Sequence, residues 1–367
     1  MSAESTKSGI VPAHVIARLI EAGSIDLARP ADGDQIQPAS LDLRLGPDAY
    51  RVRASFLPGP GRRVSERLAE LSLHQFSLES GAVLETNCVY IVPLLESLKL
   101  PKAMTATANP KSSTGRLDIF TRVITDFGTS FDEIPEAYEG PLYAEISPMS
   151  FSALVRTGSR LSQIRFRVGP SQASDELIRQ LHEAEGLITS GPVNIDRGLA
   201  LSVDLQGEPG APIGFRAKKH SGLVDVDKKN ALAVLDYWEP IWQRGSLVLD
   251  PGEFYILVSK EAVRVPPDHA AEMTPFNPLV GEFRVHYAGF FDPGFGHVAG
   301  GGEGSRGVLE VRSHDVPFIL EDGQIIGRLI YEPLTEKPAQ VYGQGIGSNY
   351  QKQGLKLSKH FKVFEGM

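Results

Sequence analysis

Cysteine is almost missing from this chain: Cys88 is the only one in 367 residues. That excludes a disulfide framework and any cage of cysteine ligands around a metal. Positive charge is in deficit, with 37 Lys and Arg against 45 Asp and Glu, a net charge of −8. A protein built to coat nucleic acid is therefore not expected, and a basic cluster reads as a local device for a small anion. Long apolar runs are missing too. None approaches the ~18 residues of a membrane span, and MSAESTKSGIVPAHVIARL has no long apolar segment of a leader. The expectation is a soluble, cytoplasmic protein with no membrane partner.

Turn formers are abundant instead, with 37 Gly and 26 Pro. Short apolar runs end repeatedly in Gly, Pro, Asn or Asp, as in VLETNCVYIVPL (83–94), LVLDPGEFYILV (247–258) and FILEDGQIIGRLIYEPL (318–334). These predict short antiparallel strands joined by turns. Helical spacing is clear in only two places, VPAHVIARLIEAG (11–23) and SDELIRQLHEAEG (174–186). The fold class is mainly β. At ~100–200 residues per domain, two domains are expected.

The two helices head similar halves. After the first come SLDLRLG (40–46), LLESLKLP (94–101), NPKSSTG (109–115), LYAEIS (142–147) and LSQIRF (161–166). After the second come SVDLQG (202–207), SKEAVRVP (259–266), NPLVG (277–281), GVLEVRS (307–313) and IGRLIY (326–331). Order is kept, which indicates a tandem duplication: a first domain over 1–168, a second over 169–335, and a tail over 336–367. The halves differ where chemistry would sit. NPKSSTGR loses its hydroxyls and cations in the second half, whereas the compact VHYAGFFDPGF (285–295) faces a stretched counterpart, VITDFGTSFDEIPEAYEG (123–140).

Lys111, Ser112, Ser113 and Arg116 place two hydroxyls and two cations within six residues. Hydroxyls, successive backbone N–H groups and charge-assisted donors suit a polyphosphate; a solvated loop is the plainer alternative. Asp292 in FFDPG could orient a ribose hydroxyl or simply start a turn. Glu145 and Glu310 end apolar stretches, PLYAE and GVLE, where desolvation can prepare a general base. A solvated or Arg-paired strand-end glutamate is the other reading. The tail VYGQGIGSNYQKQGLKLSKHF (341–361) carries Tyr342, Tyr350 and Gln353, and reads as a lid or a loose terminus. Two superficial matches fail. GEGSRG (302–307) fits G-x-G-x-x-G but leads into a strand rather than a helix. The HEAE and HAAE segments (182–185 and 269–272) have no H-E-x-x-H, and no P-C-x-x-C accompanies an H-x-E, which excludes a zinc deaminase.

Together these segments resemble the dCTP deaminases of the trimeric dUTPase superfamily. The resemblance is carried by Ser112-Ser113-Thr114-Gly115-Arg116, by Ala288 to Phe295, by Val308-Leu309-Glu310, by Tyr342…Tyr350-Gln351-Lys352-Gln353, and by IQPASLDLRLG (36–46). It implies tandem dUTPase-like (β-clip) distorted β-barrel domains, each headed by a short helix, and deamination of dCTP to dUTP without zinc. It further implies Glu310 as base, with Glu145 as the competitor, and Ser112 and Arg116 holding the attacking water. Lys111 and Ser113 would take phosphates, with Mg²⁺ arriving on the triphosphate. Asp292, Val308 and Leu309 would line the nucleoside, and Tyr342, Tyr350 and Gln353 would close the tail over it. In such families the turn and the hairpin of one site come from neighbouring domains, so a homo-oligomer is expected. Two arrangements are open: a composite of first-half turn with second-half hairpin using Glu310, or a ring of first halves using Glu145. Asn349 stands where the resemblance leads one to expect lysine. The rivals are a dUTP diphosphatase, an enzyme doing both steps, and a nucleotide-binding regulator without turnover.

Overall fold

The computed structural model describes residues 7–275, 283–286, 289–313, 315–343 and 353–364. Among these the chain is mainly β, with curled sheets and few helices. It divides into two compact units. The first comprises Met1–Ser171, Leu223–Lys229 and Leu334–Ala339, and the second Gln172–Gly222, Asn230–Pro333 and Gln340–Met367.

In the first unit a helix, Ala13–Glu21, buries Ile16 against a core of Leu41, Leu43, Leu98, Ile164 and Phe166. One sheet centres on the long strand Val89–Lys99, flanked by Glu139–Pro148 and Asp48–Val52. The other runs Glu133–Ile134, Met104–Pro110, Ser162–Val168, Ser40–Leu43. Two later pieces of chain join this unit. Val224–Asp225 adds a parallel strand to Ala153–Val155, clamped where Arg156 donates to Asp225 at 2.8 and 2.9 Å. Beyond the second repeat, Thr335 N–H donates to Ile10 O at 2.9 Å, and Glu336 accepts from Arg18 at 2.6 Å.

The second unit repeats this plan. Its helix, Asp175–Glu185, is capped by Ser174, whose hydroxyl accepts from Leu177 N–H at 3.3 Å, and stopped by Gly186 at φ 62°. A glycine is required there because a Cβ is disfavoured in the left-handed region. Strand Phe254–Val263 takes the place of Val89–Lys99, and Ser305–Ser313 that of Glu139–Pro148. The registers coincide: Glu145 lies opposite Ile91 and Arg122, and Glu310 opposite Ile256 and His286. Even a buried device recurs. Glu96 accepts from Arg44 N–H at 2.8 Å, and Glu261 from Ser202 N–H at 2.8 Å. Burial raises the Glu96 carboxyl despite the donors from Arg44 and Gln35.

The register corrects two of the repeat matches read from motifs. Ile164 pairs with Leu41 and Leu329 with Leu199, so SLDLRLG corresponds to the chain from Gly198, not to SVDLQG. Ser162 pairs with Pro110 and Gly327 with Pro275, so NPK corresponds to Thr274-Pro275-Phe276 rather than to NPLVG, which lies outside the described residues. Short similar motifs occur by chance in β-rich chains; the burial pattern, which flips with a one-residue slip, sets the pairing.

Candidate active site

NPKSSTGR is not an open turn. Strand Met104–Pro110 runs into a single helical turn, Ser112–Gly115. Lys111 caps it with its carbonyl, accepting from Thr114 N–H at 2.8 Å and Gly115 N–H at 2.9 Å. Ser113 and Arg116 are buried, and Ser112 is half-buried. The Lys111 ammonium is paired with the buried carboxylate of Asp42. Spacing alone shows the cation and the hydroxyls, but not this partner, which lies 69 residues away.

Glu145 of the same unit is committed elsewhere. Its Oε1 accepts from Arg122 at 3.1 Å (Nε) and 2.5 Å (Nη2), while Oε2 is sealed from solvent with no hydrogen-bond partner among the described residues. Arg122 is itself held over the rings of Phe131 and Phe120, 3.4 and 4.6 Å from their centres. Removing one partner of such a pair strands the other charge. Arg122→Met should therefore cost about 3 kcal/mol, read from the urea midpoint, and adding Glu145→Gln should recover part of it.

Asp132 lies beside this pair in the irregular segment, at φ 62°. Its carboxylate accepts from Val123 N–H at 2.7 Å. Burial pushes its carboxyl up to about 7, against the pull of that N–H and of Arg122, and the negative Glu145 and Glu133 add to the rise. The folded chain thus holds this proton more tightly than the unfolded chain, whose Asp titrates near the ordinary 3.8. Stability is lost as pH rises from about 4 through about 7. Asp132→Asn, which keeps the acceptor oxygen, should flatten that slope and melt above wild type at about pH 8, with no such gain at acidic pH.

The second unit carries the Val-Leu-Glu strand, the Asp-Pro-Gly turn and the tail. Strand Ser305–Ser313 turns Leu309 and Val311 into the core, while Arg306, Val308, Glu310 and Arg312 alternate to its other face. Glu310 and Val308 are nonetheless buried. With its side chain in the core, Leu309 has only its peptide to offer a ligand. Asp292 starts a true turn, its carbonyl accepting from Phe295 N–H at 3.0 Å. Gly294 is needed in that turn. It sits at φ 90°, and a Cβ there would meet Val341 Cβ at 2.8 Å.

The tail is tied to the same two elements. Tyr342 N–H donates to Pro293 O at 2.7 Å, and its ring packs on Phe295 with centres 5.8 Å apart. Gln353 is buried and exchanges two 3.0 Å hydrogen bonds with the peptide of Arg306, on the strand of Glu310. Arg306 in turn donates to Asp204 at 2.8 Å. Burial raises the Asp204 carboxyl, but the N–H groups of Gly207 and Gln206 and the charge of Arg306 outweigh it and hold the group below the usual range. Past Gln353 the chain is anchored by Phe361, edge-on to Tyr237 and Trp238 with ring centres 5.5 and 5.9 Å away. That anchor gave no sequence signal beyond an aromatic residue in a polar tail. Tyr350, Asn349, Lys352 and Ala288 lie outside the described residues.

The profile of the 2'-deoxycytidine 5'-triphosphate deaminase N-terminal domain matches residues 7–170, and that of the C-terminal domain residues 174–361. The chain belongs to the 2'-deoxycytidine 5'-triphosphate deaminase family. A solved 2'-deoxycytidine 5'-triphosphate deaminase from Agrobacterium tumefaciens is 61% identical, with a TM-score of 0.86, covering 89% of this chain and 99% of that one. Curated relatives named "dCTP deaminase, dUMP-forming" match more locally. The one from Beutenbergia cavernae is 35% identical over 113 residues, 29% of this chain and 54% of the relative. The one from Pseudarthrobacter chlorophenolicus is 35% identical over 144 residues, 38% of this chain and 71% of the relative. The resemblance read from these motifs thus holds for the family, and the mainly β fold agrees with it. Among the described residues no helix is long and apolar enough to cross a membrane.

Proposed function

We propose that this chain hydrolyses the 4-amino group of dCTP, giving dUTP and ammonia, with Glu310 as general base. What supports the reading is that the second unit carries a buried glutamate, an Asp-Pro-Gly turn bonded by Tyr342, and Gln353 bonded to the strand of that glutamate, in a chain of this family. Glu310 takes a proton from water as its oxygen bonds to C4 of the cytosine ring and delivers it to the ring nitrogen N3. It then takes the proton of the new C4 hydroxyl and delivers it to the departing amine. Ammonia leaves, C4 becomes a carbonyl, and the glutamate ends as it began. Ser112 and Arg116 hold the water and stabilise the charge of the tetrahedral centre. Lys111 and Ser113 bind phosphate oxygens, and Mg²⁺ comes with the triphosphate. Asp292 orients the deoxyribose, Val308 and the Leu309 peptide line the base, and Tyr342, Tyr350 and Gln353 enclose the nucleotide. The working form is a homo-oligomer.

A second reading, in which the chain also splits the triphosphate, is favoured by the names of the curated relatives. One experiment separates the readings: purified protein with dCTP and Mg²⁺, ammonia assayed and nucleotides resolved by chromatography. Ammonia with dUTP is the expected result. Ammonia with dUMP and pyrophosphate supports the two-step enzyme. dUTP cleaved without ammonia from dCTP gives a diphosphatase, and dCTP bound but unchanged gives a regulator; either result overturns the proposal.

A further inference from the structure

Lys111 reaches the Ser-Ser turn as part of a charge cluster. Its ammonium pairs with Asp42 on strand Ser40–Leu43. Arg160 approaches the same carboxylate oxygen at 3.4 Å and bonds Asp34 at 2.9 Å. The backbone joins these pieces too, since Lys111 N–H donates to Leu161 O at 2.9 Å. Asp42 is buried, and its Oδ1 has no hydrogen-bond partner among the described residues.

A buried ion cluster is weak evidence for stability, and the repeat supplies an internal control. Gln163 pairs with Asp42 where Arg328 pairs with Ala200. Ser162 pairs with Pro110 where Gly327 pairs with Pro275. The same register sets Ile325 at the position of Arg160, and the residue after Pro275 is Phe276 where Lys111 follows Pro110. The second unit builds the same strands with none of the three charges. The fold does not need the cluster, and the unit that keeps it is the one with the Ser-Ser turn.

We propose that Asp42 is a positioning residue for nucleotide binding, holding Lys111 so that its ammonium faces the phosphates. This rests on the reading of Lys111 as a phosphate ligand. An ammonium has three donors, so one bond to Asp42 fixes its direction and leaves two for phosphate oxygens. Asp42 touches no substrate atom and acts only through the lysine.

Steady-state kinetics with dCTP on Asp42→Asn, Lys111→Met and the double variant test this. Loss of one charge-assisted phosphate contact should raise the KM of Lys111→Met about tenfold or more, with kcat little changed. Asp42→Asn should raise KM several-fold, and the double variant should be no worse than Lys111→Met alone. Penalties that multiply would overturn the positioning role, as would a loss confined to kcat or thermal stability with KM unmoved. A wild-type KM in Lys111→Met would instead sink the phosphate reading itself, a distinguishable failure. If Asp42→Asn does not fold, Asp42→Ala combined with Lys111→Phe, the pair found in the second repeat, replaces it. A KM equal to that of Lys111→Met supports the proposal, and a further rise overturns it.

Discussion

Glu310→Gln is expected to cut ammonia release from dCTP by about 10²–10⁴-fold, the usual worth of a positioned general base, while dCTP still binds. The glutamine keeps the shape and one acceptor but cannot accept the water's proton near neutrality. The comparison that gives the result meaning is Glu145→Gln. The registers place the two glutamates at equivalent points of the two repeats, so strand position alone does not choose between them. The proposal assigns the base to Glu310 because Oε1 of Glu145 accepts from Arg122 and its Oε2 is sealed from solvent. Glu145→Gln should therefore show its effect in the urea midpoint, leaving the kcat of the folded protein near wild type. Calorimetric binding of dCTP alongside the ammonia assay separates lost catalysis from lost affinity. Full turnover in Glu310→Gln, with turnover lost in Glu145→Gln, would move the base to the first unit.

What was legible in the sequence was what lies contiguous in it. The Asp-Pro-Gly turn and the Val-Leu-Glu strand are each a few residues long, and their local chemistry is the same folded or read. Three of the five strand matches (LLESLKLP, LYAEIS and LSQIRF) keep their register in the sheets. The features that escaped depend on pairing across sequence distance. Asp42 finds Lys111, and Arg122 finds Glu145, only once strands are registered. The return of Val224–Asp225 to the first unit is likewise invisible in composition, because its two-residue strand is held by Arg156, 69 residues earlier. The single helical turn Ser112–Gly115 leaves no trace in the sequence pattern, because four residues carry no period.

Arg116 carries the second large effect. It ends that helical turn, its N–H donating to Ser112 O at 3.1 Å, with only 3% of its surface exposed. Under the proposed mechanism, a guanidinium buried at the end of a hydroxyl-bearing turn would need little reorientation as charge builds on the oxygen attacking C4. Losing one such donor typically lowers kcat about 10²–10³-fold, and that is the loss expected for Arg116→Gln. Arg116→Lys keeps the charge but not the planar fork, so it should fall between the two. A purely structural arginine would behave differently, because lysine and glutamine would then lower thermal stability while the kcat of folded protein stayed near wild type. Measuring kcat and melting temperature on both variants decides the matter. A kcat drop graded with the geometry of the donor, at similar melting temperatures, places Arg116 on the reacting atoms.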